Sequence, residues 1–472
     1  MKKIHFVLFL CTLWIKVGDA FASDLPSVTH YSLRLHLFQS EQRFEAEVQM
    51  TITNKTQRSF SEIPFLLYRL LDAQAVTDES GSAVRFRQSI QKFKEVPTWQ
   101  ANLIHIELPE PLHPSKSITI TMKYSGSVYG YPEVMQYVRD RIDEVYSLIR
   151  PDAFAYPMLS LPSFPVLLAS YQSKFTFDIQ ATVPSGYVVA CGGRLISSTS
   201  KGDSVIFAFE SKGPVSRMDI AIARFKTLSD DSHNLSVYFL PEDEQSASDV
   251  LREMKRVIEL YSSLFGQVKN YKGYTTIEIP EGWGSQADDY SILQAASAFK
   301  ERKFSEVYHE VAHTWNVKAK PEVQRCRWFD EAFATYFEAL ATREFKGDSA
   351  FQKHMEGLRE RWLQRAAKDK KNFDTPIAEY AKEELGQNSY TKGAWSLYVL
   401  HQLVGEEHFG QIIRTLLSEF GDKPADFRDF QRISENVSKM KLGRLFDEWI
   451  YGTQSSQLLA DKAPVTAITK RY

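Results

Sequence analysis

Two histidines four residues apart, His309 and His313, with Glu310 between them in the segment KFSEVYHEVAHTWNVK, constrain this chain more than any other feature. On an α-helix, positions i and i+4 share a face, so both imidazoles can reach one metal ion while Glu310 reaches a water bound to it. A zinc ion that acts on a substrate takes three protein ligands and keeps a fourth position open. The run from Trp328 to Glu338, WFDEAFATYFE, offers carboxylates among bulky apolar residues, and Glu331 fits the third place. By itself the pattern His-Glu-x-x-His turns up by chance in roughly one chain in a hundred of this length, and the competing reading is an amphipathic helix with two unrelated histidines.

HEVAH followed by WFDEAFATYFE resembles the gluzincin metallopeptidases, specifically the family of aminopeptidase N and leukotriene A4 hydrolase, whose second motif reads like WLNEGFA. Matching that motif selects Glu331 rather than Asp330. The sequence departs from the family pattern in having 17 residues between His313 and Glu331, one fewer than the family, which reads as a deletion in the connecting loop. The piece HTWNVK is similar to the glycyl aminopeptidases. Tyr390-Thr391-Lys392-Gly393 resembles the tyrosine motif of the first family, which implies that the Tyr390 hydroxyl donates to the oxyanion of a tetrahedral intermediate. The resemblance implies one Zn2+ per chain on His309, His313 and Glu331. Glu310 would then take a proton from the metal-bound water and return it to the departing amine. Glu338 lies seven positions past Glu331, about two turns along the same helix face. Geometry and resemblance both make it a candidate acceptor for a ligand imidazole N–H.

Family aminopeptidases carry a Gly-x-Met-Glu-Asn segment whose Glu binds the free amino group of the substrate. The stretch from Ile279 to Tyr290, IPEGWGSQADDY, lacks it and aligns Ala287 with that Glu. Gly284, Ser285, Gln286 and Asp288 are the candidate substrate-binding residues. Asp288, Asp289 and Glu281 are the carboxylates an ammonium could pair with, and spacing selects none of them. The expected activity is that of a secreted zinc metallopeptidase, an aminopeptidase acting on peptide N-termini. The alternatives are an endopeptidase or other hydrolase on the same scaffold, or a catalytically inactive peptide-binding relative.

The first residues, MKKIHFVLFLCTLWIKVGDAFA, combine a basic start, an apolar run and a small-x-small site at Ala20-Phe21-Ala22. They read as a signal peptide over 1–22, with a periplasmic or extracellular product. Lys16 and Asp19 interrupt the run, which falls short of the roughly 20 residues that span a bilayer, so no stable membrane insertion is expected. Only Cys191 and Cys326 remain beyond it, too few for disulfides to be the basis of the fold, although a bridge between the two is possible. A net charge of −2 gives no reason to expect a nucleic-acid partner. Peptides are the expected partners.

Tyr31, Leu33, Leu35 and Leu37 alternate with polar residues, as do Phe44, Ala46, Val48, Met50 and Ile52. Such half-buried strands predict an antiparallel all-β, sandwich-like N-terminal domain over 23–228. Val250, Leu251, Met254, Val257, Ile258, Tyr261, Leu264 and Phe265 recur at helical spacing. They open a second region over 229–452, mostly helical in its second half, which the resemblance implies is an α+β, thermolysin-like zinc peptidase domain, with 453–472 as a tail. Larger members of the family continue into a long helical C-terminal domain; without one, the cleft is expected to be more open.

Overall fold

The computed structural model describes residues 25–130, 139–171, 173–268, 271–421 and 423–472. The expected signal peptide lies outside them. Strand Ser27–Phe38 pairs antiparallel with Arg43–Thr53 and parallel with Thr176–Pro184 at the centre of a seven-stranded sheet. Its period of two buries Leu33, Leu35 and Leu37 and exposes Arg34 and His36. A four-stranded antiparallel sheet that includes Phe60–Leu67 and Gln100–Leu112 contributes to the same core, where Phe65, Ile104 and Ile106 join Leu33 and Val48. The N-terminal half is therefore sandwich-like and antiparallel apart from that one parallel pair, with a helix at Phe164–Tyr171.

A third sheet, of Tyr146–Ile149, Val188–Cys191 and Ile220–Ala223, lies between the two halves. One face gives Ile149, Val189, Ile220 and Ile222 to the sandwich core. The other gives Leu148, Ala190 and Ala221 to a cluster with Ile277, Ile279, Trp283 and Leu293 of the second half. Covered on both sides, its strands are apolar apart from Ser147 rather than alternating.

The second half is built on a five-stranded sheet in the order Lys226–Asp230, Leu235–Phe239, Thr275–Ile279, Ser291–Ala295, Gln286–Ala287. Its interior pairings are parallel and its two edge pairings antiparallel. The expected boundary between 228 and 229 falls inside the first of these strands. Helix Glu244–Phe265 buries Val250, Met254, Val257, Ile258, Tyr261 and Phe265, one stripe at spacings of three and four. Helices make up most of the remainder, around one core. Residues 453–472, expected to be a tail, instead form helices Gln454–Ala460 and Val465–Thr469, with Leu459 and Ile468 buried. Cys191 lies in the sandwich core and Cys326 in the helical core, and both are free. Among the described residues no helix is long and apolar enough to cross a membrane.

Candidate metal centre

Helix Phe304–Ala312 buries Val307, Tyr308, Val311 and Ala312 and leaves His309 and His313 on its partly open face. The two rings stand 5.1 Å apart and nearly perpendicular. Glu331 Oε2 lies 3.1 Å from His309 Nε2 and 3.8 Å from His313 Nε2, and the three side chains each present a ligand atom within 4.8 Å of the others. Two imidazole nitrogens and one carboxylate oxygen converging on one point fit a tetrahedral zinc with its fourth position open. The short connection from His313 still closes: Lys320 N donates to Ala425 O at 2.9 Å and Ala425 N to Lys318 O at 2.8 Å.

Glu331 sits in a wide π-turn, Trp328–Ala332, and Tyr390 in a second one, Ser389–Gly393. Turns of this kind concentrate at functional sites. The two pack closely: a Cβ on Gly393 would stand 3.0 Å from Ala332 Cβ and 3.2 Å from Trp328 Cδ1. This brings the Tyr390 ring parallel to His309 with centroids 6.0 Å apart and its hydroxyl near the Glu331 carboxylate. Burial and the nearby Glu331 carboxylate raise the hydroxyl's pKa, so Tyr390 stays a proton donor.

Each ligand ring has a carboxylate on its far nitrogen. Glu338 Oε2 lies 3.3 Å from His309 Nδ1, and Asp330 Oδ1 lies 2.8 Å from His313 Nδ1. A proton held there leaves the Nε2 lone pair free for a metal. The Asn316 side-chain amide lies 2.9 Å from His313 Nδ1 and donates to Asp330 Oδ1 at 3.2 Å. Asp330, Asn316 and Arg327 were not legible as parts of the site. The available signals were the adjacency of Asp330 to Glu331 and the position of Asn316 three residues after His313. Glu310 is 9% exposed; burial pushes its carboxyl above the ordinary value while His313 and His309 pull the other way.

The segment expected to touch substrate binds the protein itself. Gly284 takes a positive φ of 76°, and Ser285 Oγ accepts from Ala295 N at 3.0 Å. Gln286 accepts from Arg150 Nη1 at 3.2 Å and donates to Asp152 Oδ1 at 3.3 Å. Asp288 accepts from Ser216 Oγ at 2.8 Å, Asp289 pairs with Lys174 at 2.5 Å, and Glu281 accepts from Ser297 N at 2.9 Å. All three carboxylates offered for an ammonium thus have partners elsewhere in the chain. Gln286 is moored to a buried ionic cluster in which Arg150 clasps Asp140 through two bonds of 2.7 Å and Arg217 bridges Asp152 and Asp219.

Residues 287–449 match the model of the peptidase family M1 domain. The chain carries an M1 peptidase domain. Glutamyl aminopeptidase from Homo sapiens is 22% identical over 90% of this chain and 46% of its own length. Probable aminopeptidase 1 from Sulfurisphaera tokodaii is 23% identical over 59% of the chain and 38% of its own length. The chain thus spans less than half the length of these curated relatives. An M1 zinc metallopeptidase from Deinococcus radiodurans has the same fold at a TM-score of 0.62 and 19% identity, covering 92% of this chain and 93% of that one. Yeast LTA4 hydrolase superposes with a TM-score of 0.65 at 15% identity, over 90% of this chain and 68% of that one. The M1 match includes the motif helix and both π-turns.

Proposed function

We propose that this chain is a zinc-dependent metallopeptidase that removes residues from peptide N-termini. The observation that carries the reading is the convergence of His309 Nε2, His313 Nε2 and Glu331 Oε2 on one point, with the buried Glu310 beside it and Tyr390 across it. A zinc ion held by His309, His313 and Glu331 would supply an acidified water and polarise a scissile carbonyl. Glu310 would be placed to take the proton from that water and pass it on to the departing amine. Tyr390 offers its hydroxyl hydrogen to the developing oxyanion, while Glu338 and Asp330 hold the two rings in the tautomer that binds metal.

Action at N-termini is supported by the relatives, which carry the name aminopeptidase. Endopeptidase action is a second reading, favoured by Ala287 on the edge strand and by the internal partners of Glu281, Asp288 and Asp289. Matched free and N-acetylated peptides, assayed with and without a chelator, test both. Loss of cleavage on acetylation supports the first reading, equal cleavage supports the second, and cleavage that survives complete zinc removal overturns both. Glu310→Gln is expected to abolish turnover while zinc content stays at one per chain. We also propose export directed by residues 1–22, which N-terminal sequencing of the protein from fractionated cells checks: a first residue other than Ser23 overturns the cleavage site.

A further inference from the structure

We propose that Arg327 is a positioning residue that makes Glu331 a one-oxygen metal ligand and so keeps a coordination position free for water. The inference rests on the zinc reading of the site. The two oxygens of Glu331 face different partners: Oε2 looks at the two imidazole Nε2 atoms, and Oε1 accepts from Arg327 Nη2. The same guanidinium donates to Asp330 Oδ2 at 3.2 Å and lies 5.6 Å from the centroid of the Tyr390 ring. It therefore touches the ligand carboxylate, the acid behind His313 and the candidate oxyanion donor at once.

The backbone supports the same assignment. Arg327 is held in the left-handed region at φ 58°, immediately before the π-turn that presents Glu331. That conformation costs a non-glycine residue about 1 kcal/mol or more and persists where the surroundings fix it. Charge gives the physical reason. Glu310, Asp330, Glu331 and Glu338 crowd around two imidazoles, and among the described residues Arg327 is the one Lys or Arg ion-paired with Glu331. Without it, Oε1 would be free to turn toward the metal, and a carboxylate bound through both oxygens would occupy the position that a catalytic site leaves for water.

The test uses the full chain stripped of metal. Zinc affinity is measured by competition with a chromophoric chelator, and the Co2+-substituted protein is read by visible absorption, whose intensity falls as the coordination number rises. Arg327→Met is expected to lower the Co2+ band intensity without weakening zinc, since the site loses a positive charge as Glu331 turns its second oxygen to the metal, while Arg327→Lys restores the wild-type spectrum. Circular dichroism checks folding; if Arg327→Met does not fold, Arg327→Gln, which keeps a donor for Oε1 without the charge, is expected to keep the wild-type Co2+ spectrum. A folded Arg327→Met with the wild-type spectrum overturns the proposal, as does a lowered Co2+ band in Arg327→Gln when Met does not fold. Failure of the wild-type chain to take up one zinc overturns the zinc reading itself, which is a separate result.

Discussion

Asp330 Oδ1 sits 2.8 Å from His313 Nδ1, the same relation that Glu338 makes with His309 at 3.3 Å. One helical segment thus supplies the third candidate ligand and the acids behind the other two. Replacing Asp330 by Ala leaves the His313 ring free to rotate and to change tautomer. Zinc affinity, read by chelator competition, is expected to fall about 10- to 100-fold. Asp330→Asn, which keeps an oxygen acceptor, should lose less.

Tyr390 lies beside Glu331 in the structure, yet its proposed work is on the substrate oxygen. Tyr390→Phe is therefore expected to lower kcat by about 100- to 1000-fold with KM and zinc content little changed. Steady-state kinetics on a free peptide, beside metal analysis, checks both halves of that statement.

Arg150 and Asp140 are completely buried and joined twice. Arg150→Met strands a carboxylate in the interior and should cost about 3–5 kcal/mol in urea unfolding. Removing both charges together, in Arg150→Met with Asp140→Leu, should recover most of it. Because Arg150 also holds Gln286 and the Trp283 carbonyl, the single variant is expected to disturb the edge strand beside the site.

Lys392 is fully buried with Ser456 Oγ at 2.8 Å, and burial pushes its amine down to about 7 from an ordinary 10.5. Between those values the unfolded chain holds the proton and the folded chain has released it, so folding stability rises with pH across that window; below 7 the penalty is complete. Lys392→Met removes the term. Its stability advantage over the wild type, from paired unfolding curves between pH 7 and 9.5, should be largest at pH 7 and shrink by up to about 1.4 kcal/mol per unit. An advantage that does not change with pH would show that the amine is charged in the fold.

The alternating strands were legible because one face of each meets a core, whereas YSLI, VVAC and IAIA of the middle sheet are covered on both faces and carry no period to read. The grouping of His309, His313 and Glu331 was legible because helix spacing and a local motif define it. Asp330 and Arg327 were not, since their roles depend on a π-turn and a left-handed residue that no spacing rule announces. Spacing alone does not choose among the carboxylates of Glu281, Asp288 and Asp289 as partners for an ammonium. Their partners Ser297, Ser216 and Lys174 are brought to them by the fold, two of them from the sandwich half.

A π-turn is a helix carrying one residue more than its hydrogen-bonding rhythm needs. Loss of a single residue from either Trp328–Ala332 or Ser389–Gly393 would restore an ordinary helix and swing one flank by about 100°. Relatives of this protein are therefore expected to keep the number of residues in the two turns even where side chains outside the site change, so that alignments show substitutions there without gaps.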